Sequence, residues 1–80
     1  MKNKIVIGGI YRHFKGDSYK VLYIAKDSET QRQLVVYQAL NDSNDIWVRD
    51  YDMFASMVDK NKYPDVKQDY RFELIENGDN

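Results

Sequence analysis

Cysteine is absent from the 80 residues, which removes disulfides, thiolate metal sites and thiol nucleophiles together. There is one histidine, so a site built on two imidazoles is excluded as well. Proline occurs once, at Pro64, and no apolar run nears the roughly 18 residues that a membrane-spanning helix needs. The stretch Ile5-Val6-Ile7 is too brief for the apolar centre of a secretory signal. An excess of one charge is also lacking. Twelve Lys and Arg against thirteen Asp and Glu leave −1, so bulk attraction to nucleic acid or to an anionic membrane cannot operate. Repeats, low-complexity tracts and linkers are missing too. These absences lead us to expect a cytoplasmic protein of one domain, residues 1–80, with no cofactor, no metal and no membrane contact.

What the chain does have is 42% apolar and 14% aromatic residues, a globular composition with room for one thin core. Its charge is divided unevenly. Residues 1–40 carry seven basic and three acidic side chains, residues 41–80 five and ten, so the halves stand at +4 and −5. Most of the acids of the second half fall in turn-forming stretches or in the last third, which suits a solvated surface.

Strand signals fill the first fifty residues. Lys4 to Ile7 is a short apolar run broken by Gly8-Gly9, and Gly16-Asp17-Ser18 is a turn after Tyr11 to Phe14. Tyr19 to Ala25 and Gln33 to Leu40 are rich in β-branched and aromatic residues and read as a hairpin joined by Lys26 to Arg32. Five turn formers, Asn41 to Asp45, then return the chain antiparallel through Ile46 to Arg49. Beyond Arg49 the period lengthens. Asp50 can cap a short helix on which Met53, Phe54, Met57 and Val58 recur at three- and four-residue spacing. Pro64 marks a turn, Tyr70 to Ile75 alternates like a closing strand, and residues 76–80 form an expected disordered tail. Five strands are too few for two packed sheets. A small, strongly bent SH3-like barrel with one short helix buries one face and hides most edges, and that mainly β fold is the expectation.

Strand register decides which side is core. With Leu22 and Ile24 inward, Leu34, Val36, Leu40, Ile46 and Val48 share their side with one polar member, Gln38. The outer side then carries Tyr19, Tyr23, Tyr37, Trp47 and Arg49 as an aromatic row. A one-residue slip in the first hairpin changes this partition.

Read in order, Tyr11-Arg12-His13-Phe14-Lys15-Gly16, Tyr19-x-Val21, Ser28-Glu29-Thr30, Leu34 to Leu40, Trp47-Val48-Arg49, Met53-Phe54 and Arg71-Phe72 form a linked set of motifs. The set resembles a bacterial family of small, mostly single-domain proteins of unknown function with a YRHFKG opening and a WVR…MF centre. The resemblance spans about residues 9–75 and implies an SH3-type barrel. It implies no chemistry. Two positions depart from the pattern: Asp27 stands where the family has His, and Asp50 where it has Pro. The first weakens any scheme needing two histidines, and the second exchanges one helix-start residue for another.

Candidate functional residues come in small groups, each with a plainer structural reading beside it. His13 is a surface or structural histidine, or a general base whose pKa Arg12 and Lys15 depress. Arg12, His13 and Lys15 beside Tyr11 and Phe14 make a basic, aromatic strip of the kind that grips single-stranded nucleic acid. Three cations supply only about three phosphate contacts, however. Trp47, Arg49 and Tyr37 are either an internal cation–π stack or the wall of a groove for an extended peptide. Gln38 must find a partner for its amide on an apolar face, either a loop backbone or a ligand. Glu29 and Thr30 belong to a hairpin turn. Catalysis lacks a Gly-rich phosphate loop, a nucleophile elbow, a zinc motif or a serine beside His13, while Asp50 and Asp52 suit a helix start. The expectation is a non-catalytic binding or adaptor module that recognises a protein or extended peptide. Its candidate surface residues are Tyr11, Arg12, His13, Lys15, Tyr37, Gln38, Trp47 and Arg49. The alternative is weak RNA or single-stranded DNA binding through Arg12 and Lys15, helped by Lys20 and Arg49. The chain is expected to be a monomer or a weak dimer paired through an edge strand at Lys4 to Ile7.

Overall fold

A computed structural model describes residues 4–77. Strands β1 (Ile10–His13), β2 (Ser18–Lys26), β3 (Gln33–Ala39), β4 (Ile46–Asp50) and β5 (Phe72–Glu76) form one antiparallel sheet in the order β4-β3-β2-β1-β5. A single helical turn, α1 (Tyr51–Phe54), follows β4 directly. The five strands expected beyond residue 9 are all present. Their turns are built as their residues suggest. Gly16 takes a φ of +116° so that its N–H can reach the His13 carbonyl at 2.7 Å. The Asp27 carboxylate accepts the Glu29 and Thr30 N–H groups at 2.8 and 3.2 Å, a turn role that aspartate performs through its acceptor oxygen. The amide of Gln38 donates to the Asn44 carbonyl at 3.1 Å, tying down the loop before β4.

Four expectations are corrected. Lys4 to Ile7, expected as an edge strand, is not a strand. Gly8, at φ +86°, turns the chain so that Ile5 is buried, with its N–H on the Tyr51 hydroxyl at 3.1 Å and the Val6 N–H on the Tyr11 hydroxyl at 2.9 Å. The helix is one turn long, and Met57 lies beyond it in an isolated bridge to Tyr70. Asp50 does cap it, accepting the Asp52 N–H at 2.9 Å, but the Ser56 hydroxyl donates to the Met53 carbonyl at 2.6 Å and competes with further turns. Glu76, expected in a disordered tail, ends β5, and residues 78–80 of that tail lie outside the described residues.

The fourth correction concerns the faces. The inner face is formed by Tyr11, Val21, Val35, Tyr37, Ala39 and Phe72, with Phe54 from α1 and Ile5 from the irregular start. The grouping of Leu34, Val36, Gln38, Ile46 and Val48 on one side is right, but that side faces out. Within β2 the register shifts between Val21 and Tyr23, so Tyr23 pairs with outer Val36 and Ile24 with inner Val35; both keep the faces expected of them, while the β3 and β4 residues grouped with each change sides. Inside, Phe54 and Phe72 stack at 3.9 Å with planes 5° apart, and Tyr11, Tyr19 and Tyr37 meet them edge-on.

Edge strands four places apart in a flat sheet would be separated by about 19 Å. Here Arg49 of β4 lies 5.6 Å from the ring centroid of Phe72 on β5, so the sheet is strongly curled. No ladder joins β4 to β5 among the described residues, and the sheet is open. The Tyr11 hydroxyl, which accepts the Val6 N–H, holds the irregular start against this core. Tyr11→Phe should therefore cost about 1 to 2 kcal/mol, because a partly buried amide loses its partner. Urea unfolding measures this, and an unchanged midpoint would show that the start docks without that bond.

Candidate functional site

Among the described residues, strand β4 has a sheet neighbour on one side only. Its register with β3 sets Trp47 opposite Tyr37 and Arg49 opposite Val35, so Trp47 and Arg49 belong to the inner, concave face. Near the core Arg49 is half-buried. Its Nε donates to the Tyr37 hydroxyl at 3.3 Å and its guanidinium rests over Phe72. The expected cation–π partner of Arg49 is thus Phe72 rather than Trp47. Trp47 lies at the margin, 52% exposed, and its outward-facing neighbours Ile46 and Val48 are 59% and 57% exposed. Three successive large apolar side chains are open to solvent on an edge strand.

Across the curl, register places His13 of β1 opposite Phe72. The imidazole stacks on Phe14 at 4.5 Å and meets Phe72 edge-on at 4.9 Å. Its Nδ1 accepts the Lys15 N–H at 3.1 Å, which leaves the ring proton of the neutral form on Nε2. Burial first, then the positive charges of Arg49, Arg71 and Lys15, push the His13 pKa down, and Asp17 opposes them weakly. The unfolded chain therefore binds more protons than the folded one just below about pH 6.5, and stability rises with pH there. This contribution is complete above that value and is lost as pH falls through the depressed folded pKa. Chemical unfolding between about pH 7.5 and 5 should show stability declining with acidity, and His13→Gln should flatten the profile. An equal slope in the variant would assign the effect to carboxylates. The Arg32 guanidinium at 2.7 Å holds the Asp50 carboxyl below the usual carboxylate range.

The sequence-derived candidates separate in space. Tyr37 and Tyr11 are 5% and 1% exposed, so they are core residues, and only the Tyr37 hydroxyl reaches the site, through Arg49. Arg12, whose register partners are Ser18 and Glu73, lies on the outer face with Lys20 and Gln38, opposite to Arg49. Lys15 lies in the β1–β2 turn, with its ammonium within 6 Å of the Phe14 and Tyr63 ring centroids. The concave face thus brings together His13, Trp47 and Arg49 from that set, adds Tyr19 and Phe72, and leaves the rest elsewhere; Arg71, next to Phe72 and bonded to the Ser56 hydroxyl, acts on His13 through its charge. Arg71 and Phe72 stand out in the sequence only as a motif, and their place beside His13 is not readable there because β1 and β5 pair across almost sixty residues.

A shallow depression of about 300 Å³ lies apart, beside α1, lined by Arg32, Gln33, Asp50, Tyr51 and Asp52. Its Asp50 carboxylate is occupied by Arg32 and by the Asp52 N–H. Among the described residues no three His, Cys, Asp or Glu side chains gather to hold a metal, and no helix is long and apolar enough to cross a membrane.

Residues 9–74 match the model of a family described as a protein of unknown function, DUF1653. The chain belongs to this family. A crystal structure of a family member from Bordetella bronchiseptica is 30% identical, covers 86% of each chain and superposes with a TM-score of 0.72. No curated protein matches the chain. The family therefore supplies the fold, which the Bordetella structure shares, and leaves the activity to be argued from the concave face.

Proposed function

We propose that the protein is a small non-catalytic binding module that takes an extended peptide, or an extended segment of another protein, along β4. The observation that carries this reading is the unpaired side of β4 with half-exposed Trp47 beside a core-anchored Arg49. An added strand would gain main-chain hydrogen bonds from the edge, while Trp47 grips its side chains on the concave side. The curl of the sheet resembles that of small barrels, whose surfaces accept extended chains in this way.

Nucleic-acid binding has less support, because Arg12 and Lys20 lie on the outer face while Arg49 lies on the concave one. A phosphate backbone needs a continuous row of cations.

Selection from a random-peptide display library, followed by titration monitored through Trp47 fluorescence, tests the reading. A selected peptide should shift the emission and bind with a shallow salt dependence. Failure to select any peptide, together with oligonucleotide binding that falls steeply with salt, would reverse the order of the two readings.

A further inference from the structure

Arg49 and Arg71 are both half-buried, and among the described residues neither has a carboxylate within 4 Å. The two ion pairs among those residues, Arg32 with Asp50 and Lys60 with Asp69, lie elsewhere. Each of the two guanidiniums is fixed through its Nε to a neutral hydroxyl. Arg49 donates to Tyr37 at 3.3 Å, and Arg71 donates to Ser56 at 3.1 Å. Their terminal amino groups have no hydrogen-bond partner among the described residues. A guanidinium held in this way is a pre-oriented fork, the geometry that accepts a planar oxyanion through two parallel bonds. His13, edge-on to the ring that Arg49 covers, adds an Nε2–H donor. In a chain of net charge −1, this is a local surplus of positive charge in a partly desolvated place, where charge acts more strongly than in open water.

We propose that the surface bounded by Arg49, His13 and Arg71 receives a carboxylate of the peptide held along β4. The inference rests on the peptide reading given above. Carboxylate is favoured over a nucleic-acid phosphate because a guanidinium fork matches a planar acid, and Arg12 and Lys20 do not extend the cluster into a row. Lys15 faces Phe14 and Tyr63, while Arg12 and Lys20 lie on the opposite face. The acid comes either from an Asp or Glu side chain or from a chain terminus, and the two share the same chemistry.

The test uses random peptides displayed with free and with blocked C-termini, so that the arms separate the two sources. Enrichment of Asp or Glu at one position in both arms identifies a side-chain acid. Enrichment confined to the free-terminus arm identifies the terminal carboxylate. A selected peptide and its neutral counterpart, Glu→Gln, Asp→Asn or C-terminal amide, are then titrated against the wild type, Arg49→Gln and Arg71→Gln. Neutralising the peptide should weaken wild-type binding about tenfold or more and should have little further effect on either variant. An equal loss in wild type and both variants overturns the proposal, as does selection of peptides without acids. Arg71→Gln serves alone if Arg49→Gln does not fold. If no peptide is selected, sodium acetate is titrated while the Nε–H resonances of Arg49 and Arg71 are followed. Saturable shifts at both then preserve the anion site while the peptide reading fails, and absence of shifts overturns the site too. Displacement of the selected peptide by a short oligothymidylate at lower concentration than by acetate counts against the carboxylate.

Discussion

Phe72→Ala should abolish cooperative folding near physiological temperature. Phe72 is 1% exposed, stacks face to face on Phe54 and touches Tyr19, Tyr37 and His13 with its edges. Deleting such a ring removes its own transfer free energy and leaves a cavity among side chains that cannot all close in, a cost of about 3 to 5 kcal/mol. For a domain of this length, total stability is on the order of 4 to 12 kcal/mol, so the loss is a large share of the whole. The effect is amplified by topology. Phe72 is where β5, α1 and the far side of the sheet meet, and it is the surface on which Arg49 rests. Circular dichroism with urea unfolding measures the change. Phe72→Leu, which keeps much of the volume, should lose clearly less. A stable, cooperative Phe72→Ala variant would mean that the curl is held by the ladders alone.

Trp47→Ala is expected to do the opposite. The side chain is half-exposed, and it is absent from the ring contacts that tie the core together. Unfolding should therefore move by no more than about 1 kcal/mol. Binding of a selected peptide should fall by about 30-fold or more, the loss expected when an aromatic anchor worth at least 2 kcal/mol is truncated. A variant that unfolds would place Trp47 in the core and remove the proposed groove. A variant that folds and still binds would move recognition elsewhere on the sheet.

The strands of the fold were legible because each is a run of β-branched and aromatic residues between strong turn formers, and the cap at Asp50 because its residue type suits that place. The choice of inner face was not. Strand β3 reads Leu34, Val35, Val36, Tyr37, Gln38, Ala39, and both faces are apolar, so alternation alone does not rank them. Gln38 was the informative residue. Its amide belongs where a loop carbonyl and solvent can reach it, which marks its side as the outer one. Arg49 and Trp47 pointed the other way, since a cation and a half-exposed indole suggest an outer surface. Here the cation is accommodated inside by a tyrosine hydroxyl and an aromatic face. The register shift in β2 leaves Tyr23 outward and Ile24 inward, as expected, beside strands whose faces are inverted, a change that no pattern of period two can express. The candidate site was legible in part for the same reason. Trp47, Arg49 and His13 stand out by type, but that His13 approaches Phe72, and Phe72 approaches Arg49, depends on β1 pairing with β5.

Amide hydrogen exchange with and without a saturating selected peptide decides whether the open side of β4 is the binding edge. Exchange should slow along Ile46–Asp50, with no change at Arg12 and Lys20 on the outer face. Protection centred on Arg12, Lys20 and their neighbours, with Ile46–Asp50 unchanged, would contradict it.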